Sequence, residues 1–200
     1  QGASVRVATR DTEAANYLKP LGEVGQIAPI PVNINDPASI ALAVSGAHQV
    51  INLIGILAKW GKSTFQSIHV DVADAIAKAA SEAGVRQLVH VSALGASAES
   101  PAEYARTKAA GEEAVKAVFA DASIVRPSAV FGPGDRFFNM FASMARFTPV
   151  LPVFGCPLIP KVKLFGLTPI DLDLYGDGGT RLQPVYVGDI AGAIIKILDD

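Results

Sequence analysis

The sequence predicts an α/β fold in which a parallel sheet is covered on both faces, and three features carry that prediction. Short apolar runs alternate with amphipathic stretches in the order β-α-β-α-β-α-β-α-β up to about residue 125. The runs are continuous rather than alternating, as in Val50-Ile51-Asn52-Leu53-Ile54, which is the pattern of strands buried on both sides. Half of the 200 residues are apolar and 18% are charged, so the chain can bury a large core and is not disordered.

Val5 and Val7 mark a first strand over 4–9. Asp11 then caps a short helix that Pro20 ends. The β-branched run from Ile27 to Ile34 is a second strand. Asp36-Pro37 reads as an N-cap followed by proline at the first helical position, opening a helix over 37–45. Residues 49–54 form a third strand, closed by Gly55. Phe65, Ile68, Val72, Ile76, Ala79 and Ala83 recur at steps of three and four, one face of a helix over 64–83 that stops at Gly84. Residues 88–92 and 123–125 are strands. Between them Ser100-Pro101 opens a helix over 101–119. After Pro127 the alternation breaks. A helix is expected over 137–147, a short strand at 183–187 and a last helix capped by Asp189, with few signals across 148–181. These changes suggest one region over 1–135 and a smaller one over 136–200.

Several functions are excluded at this level. A net charge of -2 with no Lys/Arg run argues against nucleic acid. The single Cys156 and the scattered His48, His69 and His90 offer no metal-ligand spacing. No apolar run is long enough to span a bilayer. The chain starts at Gln1 without Met or a signal-peptide pattern and stops just after a helical pattern, so it is expected to be a piece of a longer protein.

The sharpest chemical signal is Tyr104-Ala105-Arg106-Thr107-Lys108. Residues four apart share a helix face, so the phenol and the amine are expected in one volume. A nearby ammonium lowers a tyrosine pKa and fits it for proton exchange with a carbonyl or an alcohol. Ser92 ends the preceding strand, at the edge where parallel sheets bind ligands, and its hydroxyl could orient a substrate oxygen.

Val89-His90-Val91-Ser92-Ala93, Tyr104-x-x-x-Lys108 and Arg126-Pro127-Ser128-Ala129-Val130-Phe131-Gly132-Pro133-Gly134 occur in the order of the short-chain dehydrogenase/reductase superfamily, and the last run resembles its extended, epimerase/dehydratase-like branch. Val50 to Gly55, Asp135-Arg136-Phe137-Phe138-Asn139, Phe141-Ala142-Ser143-Met144 and Gln183 to Val187 resemble an atypical group within it. That group is the NADPH-binding accessory subunit family of respiratory complex I and its bacterial relatives. The resemblance runs over nearly the whole chain and is loosest at 11–26 and 155–180.

The resemblance implies a Rossmann-type, doubly wound sheet with a nicotinamide dinucleotide across its carboxyl edge. The family's first strand and Gly-rich phosphate turn are not found here. The expectation is therefore a sheet lacking its central strand, between the strands at 4–9 and 49–54. Thr9 and Arg10 would meet the adenosine ribose, where Arg suits a 2′-phosphate and points to NADP(H) over NAD(H). Asn33 and Ile34 would face adenine. Leu53, Ile54 and Gly55 would lie against ribose and phosphates, and Pro127, Ser128, Ala129 and Val130 would flank the nicotinamide. Val91, Ser92, Tyr104 and Lys108 complete the cofactor set, and no metal is implied.

Two functions compete. In one, the chain is a cofactor-binding accessory or assembly subunit linked to complex I or to quinone metabolism, in the cytoplasm or peripheral on the inner membrane (the matrix side in a eukaryote). In the other it is an NADPH-dependent reductase or epimerase with Ser92, Tyr104 and Lys108 as its catalytic triad. A redox-sensing NADP(H)-binding regulator is a third. Only residues 93–103 separate Ser92 from Tyr104, a short span for a substrate-shaping loop, which favours the accessory reading. The remaining candidates have structural readings. His90 is packed, and His69 and His48 lack partners. Glu112-Glu113 is a solvated helix face. Trp60 and Lys62 sit in a loop over the expected cofactor. Phe137, Phe138, Phe141, Met144 and Phe147 are core. The apolar, Lys-containing segment 150–170 suits either a membrane or partner-subunit surface, or an insertion folded onto its own domain.

Overall fold

Five parallel strands carry the first part of the molecule, in a computed structural model that describes residues 2–61, 63–135, 137–147, 161–163, 171–173 and 183–199. Strand β1 (Val5–Thr9) pairs with β2 (Ile27–Pro31), from Val5 opposite Ile27 to Thr9 opposite Pro31. Strands β3 (Gln49–Asn52), β4 (Gln87–Val91) and β5 (Ser123–Val125) form a second sheet in that order. Asn52 lies opposite His90, and Val91 opposite Val125. Among the described residues β1 and β3 share no hydrogen bonds, and each is an edge strand. Their apolar residues Val5 and Ile51 are 45% and 43% exposed, unlike the fully buried Val89 of the central β4.

Helix α1 (Pro37–Val44) begins as expected: Asp36 is extended and its carboxylate accepts from the Ala38 N–H at 3.0 Å. Asp36→Ala is expected to cost about 1 kcal/mol, measurable as a lowered urea midpoint. The first helix differs from expectation. Asp11 caps only a turn, by accepting from Ala14 N, and the helical piece is a 3-10 segment, Asn16–Leu21, with Pro20 inside it. Proline fits there because so short a segment has few N–H groups to lose. Strand β2 stops at Pro31 because Asn33 turns the chain, its side-chain oxygen accepting from Asn35 N.

The 64–83 helix is real but not uniform. A π-helical turn at Ser67–Asp71 leads into α2 (Val72–Glu82). The wider turn pushes a carbonyl outward, and the His69 carbonyl meets α3 (Glu103–Val118) at Gly111. The core lies where α1, α2 and α3 cover the second sheet, around Ile40, Ile68, Val72, Ala77, Leu88 and Val115.

Residues 1–127 with 194–200 form one compact unit, and 128–193 form another. The division therefore precedes the Ser128–Gly134 segment, and the last residues belong with the first unit. There Gln49 and Gln87 donate to the carbonyls of Leu198 and Ile197 at 2.6 and 3.1 Å.

In the second unit, β6 (Val130–Phe131) pairs in parallel with β9 (Val185–Tyr186), a pairing with no sequence signal. It also contains α4 (Phe137–Phe147) and the antiparallel pair β7 (Lys161–Lys163) and β8 (Asp171–Asp173). Phe147 is 87% exposed and so is not core, while Phe138 packs its ring edge-on against Phe131. Met144 is half-buried; the side chains of Phe137 and Phe141 lie outside the described residues. The final helix, α5 (Val187–Asp199), starts before Asp189, which sits in its first turn rather than at its cap. Apart from the β7 backbone, segment 150–170 also lies outside the described residues.

Candidate functional site

Strand β4 ends beside the middle of α3, and this junction collects the titratable side chains. Helical spacing brings Tyr104, Lys108 and Glu112 to one side of α3. Lys108 is 5% exposed and its amine donates to the Val91 carbonyl at 3.1 Å. Burial lowers the amine's pKa, and the Glu112 carboxylate opposes the shift. Tyr104 is half-buried. Its ring stands edge-on to His69 (centroids 5.2 Å apart) and to Phe65 (5.8 Å).

The electrostatics correct one expectation. Burial pushes the Tyr104 phenol up, and Lys108 does not bring it down. The amine is committed to the strand end; His69 and His90 are lowered by burial first, and the Lys108 charge adds to both shifts. Sharing a helix face puts two side chains near each other but does not decide where a long Lys stem ends. Ser92 is likewise enclosed. It is 5% exposed, and its Oγ is enclosed without a hydrogen bond of ordinary geometry, close enough to Glu112 to favour the carboxylate.

Two further expectations are overturned. Glu112 is not solvated, although Glu113 is. Glu112 is buried and accepts from Arg126 Nε at 2.9 Å and from Arg126 Nη2. Burial alone would raise its pKa, but the guanidinium's hydrogen bonds and charge outweigh that and hold it down. This pair ties α3 to the end of β5. His69 does have partners: Nδ1 lies 3.0 Å from Thr107 Oγ1 and Nε2 lies 3.1 Å from the Ile56 carbonyl. Extending the four-residue spacing of Tyr104 and Lys108 by one more turn finds Glu112. The step from Phe65 to His69 is the same spacing. No local signal names Thr107, Ile56 or Arg126 as partners. His90 is packed as expected, against Asn52 Nδ2 at 3.0 Å, with Nε2 enclosed and unpartnered. Burial, with the Lys108 charge, takes its pKa to about 4.

The residues expected to hold a dinucleotide lie at or just past the strand ends. Arg10, following β1, is exposed, and among the described residues it has no ion pair or hydrogen bond. Thr9 Oγ1 turns into its own loop toward Asp11. Asn33 is exposed and Ile34 packs against the core. Past β3, Leu53 is 68% exposed, Ile54 packs inward and Gly55 is exposed. A Cβ on Gly55 would stand 3.4 Å from Lys108 Nζ and 4.0 Å from His69 Nε2. A bare backbone beside a buried ammonium, together with an unpaired exposed Arg, suits an anionic sugar-phosphate ligand.

Pro127 belongs to this unit and accepts from Leu94 N at 2.8 Å. Ser128, Ala129 and Val130 lie in the second unit, where the Ala129 carbonyl accepts from Val185 N. Trp60 is 87% exposed at a small bridge with Ser63, and Lys62 lies outside the described residues. A groove of about 550 Å³ along Lys19 to Pro29 is lined by no buried titratable group and is not assigned a role. Among the described residues no cluster could hold a metal ion, and no helix is long and apolar enough to cross a membrane.

A family model described as NAD(P)H-binding matches residues 1–134. The chain is similar, at 35% identity over 100% of its length, to NADH dehydrogenase [ubiquinone] 1 alpha subcomplex subunit 9, mitochondrial, of Arabidopsis thaliana, and covers 45% of that protein. It is 37% identical over 62% of its length to the ceramide reductase of Caulobacter vibrioides and covers 38% of it. The chain thus spans less than half the length of either. Among solved structures it matches the dTDP-glucose 4,6-dehydratase DesIV of Streptomyces venezuelae with NAD and TYD bound. The TM-score is 0.71 at 21% identity, covering 100% of this chain and 64% of that one, a likeness of fold.

Proposed function

Because the chain belongs to the NAD(P)H-binding family, as an atypical short-chain dehydrogenase/reductase-like member, we propose that it holds NADP(H) as a resident ligand. Its service is that of an accessory or assembly subunit of respiratory complex I, or in quinone metabolism. The observation that carries this reading is the commitment of the triad. Lys108 is bound to the Val91 carbonyl, the Tyr104 phenol is shifted up, and Ser92 Oγ is enclosed. Such a site can hold a ribose but is poorly set for proton exchange at neutral pH. Arg10 would take the 2′-phosphate, Asn33 and Ile34 adenine, and Leu53 to Gly55 with Lys108 the ribose and phosphates. Pro127 would flank the nicotinamide, which supplies hydride chemistry when bound. A resident nucleotide would stabilise the fold through its binding energy. The protein would lie in the cytoplasm or peripherally on the inner membrane (the matrix side in a eukaryote), against complex I subunits or the membrane surface.

The second reading is an NADPH-dependent reductase or epimerase using Ser92, Tyr104 and Lys108, and the similarity to a ceramide reductase favours it. The full-length protein separates the two. Nucleotide released on denaturation is expected to be NADPH, and added NADPH should persist in the presence of quinones and aldehydes. Turnover abolished by Tyr104→Phe would overturn the accessory reading. Arg10→Glu is expected to weaken NADPH binding about ten- to a hundredfold, the worth of a charge-assisted contact, while sparing NADH. Equal losses for both nucleotides would remove the 2′-phosphate assignment.

A further inference from the structure

We propose that His69 is a positioning residue that fixes the Gly55–Ile56 turn for the nucleotide, joining that turn to α3 through both ring nitrogens. The proposal rests on the NADP(H) reading above and adds a residue to its site.

His69 is 1% exposed on the π-helical turn. Nδ1 lies 3.0 Å from Thr107 Oγ1, and Nε2 lies 3.1 Å from the Ile56 carbonyl and 3.3 Å from the Ile56 N–H. Thr107 has one hydroxyl proton, and its Oγ1 also lies 3.0 Å from the carbonyls of Glu103 and Tyr104. Two proton arrangements pair both ring nitrogens, and only the first also gives the Ile56 N–H an acceptor. With the hydroxyl donating along its helix, Nδ1–H donates to Thr107 and Nε2 accepts from Ile56 N–H. With the hydroxyl donating to Nδ1, Nε2–H donates to the Ile56 carbonyl. A neutral imidazole suits both.

The turn needs such a tether. It follows β3, belongs to no helix or strand, and among the described residues the Ile56 N–H has no backbone partner. The ring is itself held in place, stacked on Phe65 at 5.4 Å and edge-on to Tyr104 at 5.2 Å. The tethered backbone is the stretch where bare Gly55 lies beside the Lys108 ammonium. A backbone segment ordered before a ligand arrives binds more tightly than one ordered on binding.

The test compares two variants of the full-length protein. In His69→Gln the amide reaches the Nε2 position and keeps the Ile56 bond. In His69→Asn it reaches the Nδ1 position and keeps only Thr107. NADPH affinity by calorimetry is expected to fall about tenfold in His69→Asn and to stay within about threefold in His69→Gln, the difference of one hydrogen bond. Amide exchange at Ile56, measured without nucleotide, should speed up in His69→Asn only. A general packing role would instead move both variants alike, and equal affinities with equal Ile56 exchange would overturn the proposal. If the wild type takes up no NADPH, the nucleotide reading fails and the positioning role fails with it; faster Ile56 exchange in His69→Asn would then show a tether without a nucleotide to position.

Discussion

Gly111→Ala is expected to destabilise the protein, although helix propensity alone predicts the reverse. Alanine in a helix interior is favoured over glycine by about 1 kcal/mol. Here the added Cβ would run into the carbonyl oxygen of His69, with the carbonyl carbon 3.1 Å away. Those are backbone atoms of a buried π-helical turn, so no side-chain rotation relieves the contact, and α3 must shift away from the turn. Overpacking costs about 1–3 kcal/mol, and a contact between two backbones that no rotamer relieves falls at the top of that range, about 3 kcal/mol. The clash therefore wins, and a net loss of about 2 kcal/mol is expected from urea unfolding, with loss of the His69–Thr107 register. A variant as stable as the wild type would show that the two helices separate freely, and would weaken the case for His69 as a tether.

Acid should destabilise the protein through His90. Its pKa is depressed to about 4, chiefly by burial and then by the Lys108 charge. The unfolded value is about 6.5. The folded state thus binds fewer protons than the unfolded state between those values. Stability is full above about pH 6.5 and falls as the pH drops toward 4, by about 3 kcal/mol in all. His69, lowered by burial and Lys108, adds to the same limb. Glu112, held down by Arg126, adds its share only at lower pH. His90→Asn removes the titrating group and keeps a polar partner for Asn52 at the Nδ1 position. Its urea midpoints should lie on a flatter curve from pH 6.5 to 4, and an unchanged slope would mean that His90 is solvated or already charged at neutral pH.

Legibility followed the range of the interaction. Asp36 was readable as a cap because its bond runs to Ala38, two residues on. The strands and α2 were readable because burial imprints a period on neighbours in sequence. The π turn at His69 was not, since its cause is the close approach of Gly111 on another helix. Pro20 was misplaced because proline ends α-helices more reliably than it ends 3-10 segments. Glu112 looked solvated because a single charge on a helix carries no sign of the Arg126 that meets it.

The sequence by itself determined the α/β class, the parallel strands, the face shared by Tyr104 and Lys108, and the resemblance to a dinucleotide-binding family. Only the tertiary structure decided what that face meets. It gave Lys108 to the Val91 carbonyl, His69 to Thr107 and Ile56, Glu112 to Arg126, and left Ser92 Oγ enclosed. Periodicity tells which way a side chain points from its own helix or strand. The group standing opposite comes from a distant segment, and the pKa values depend on that group and on the water it excludes.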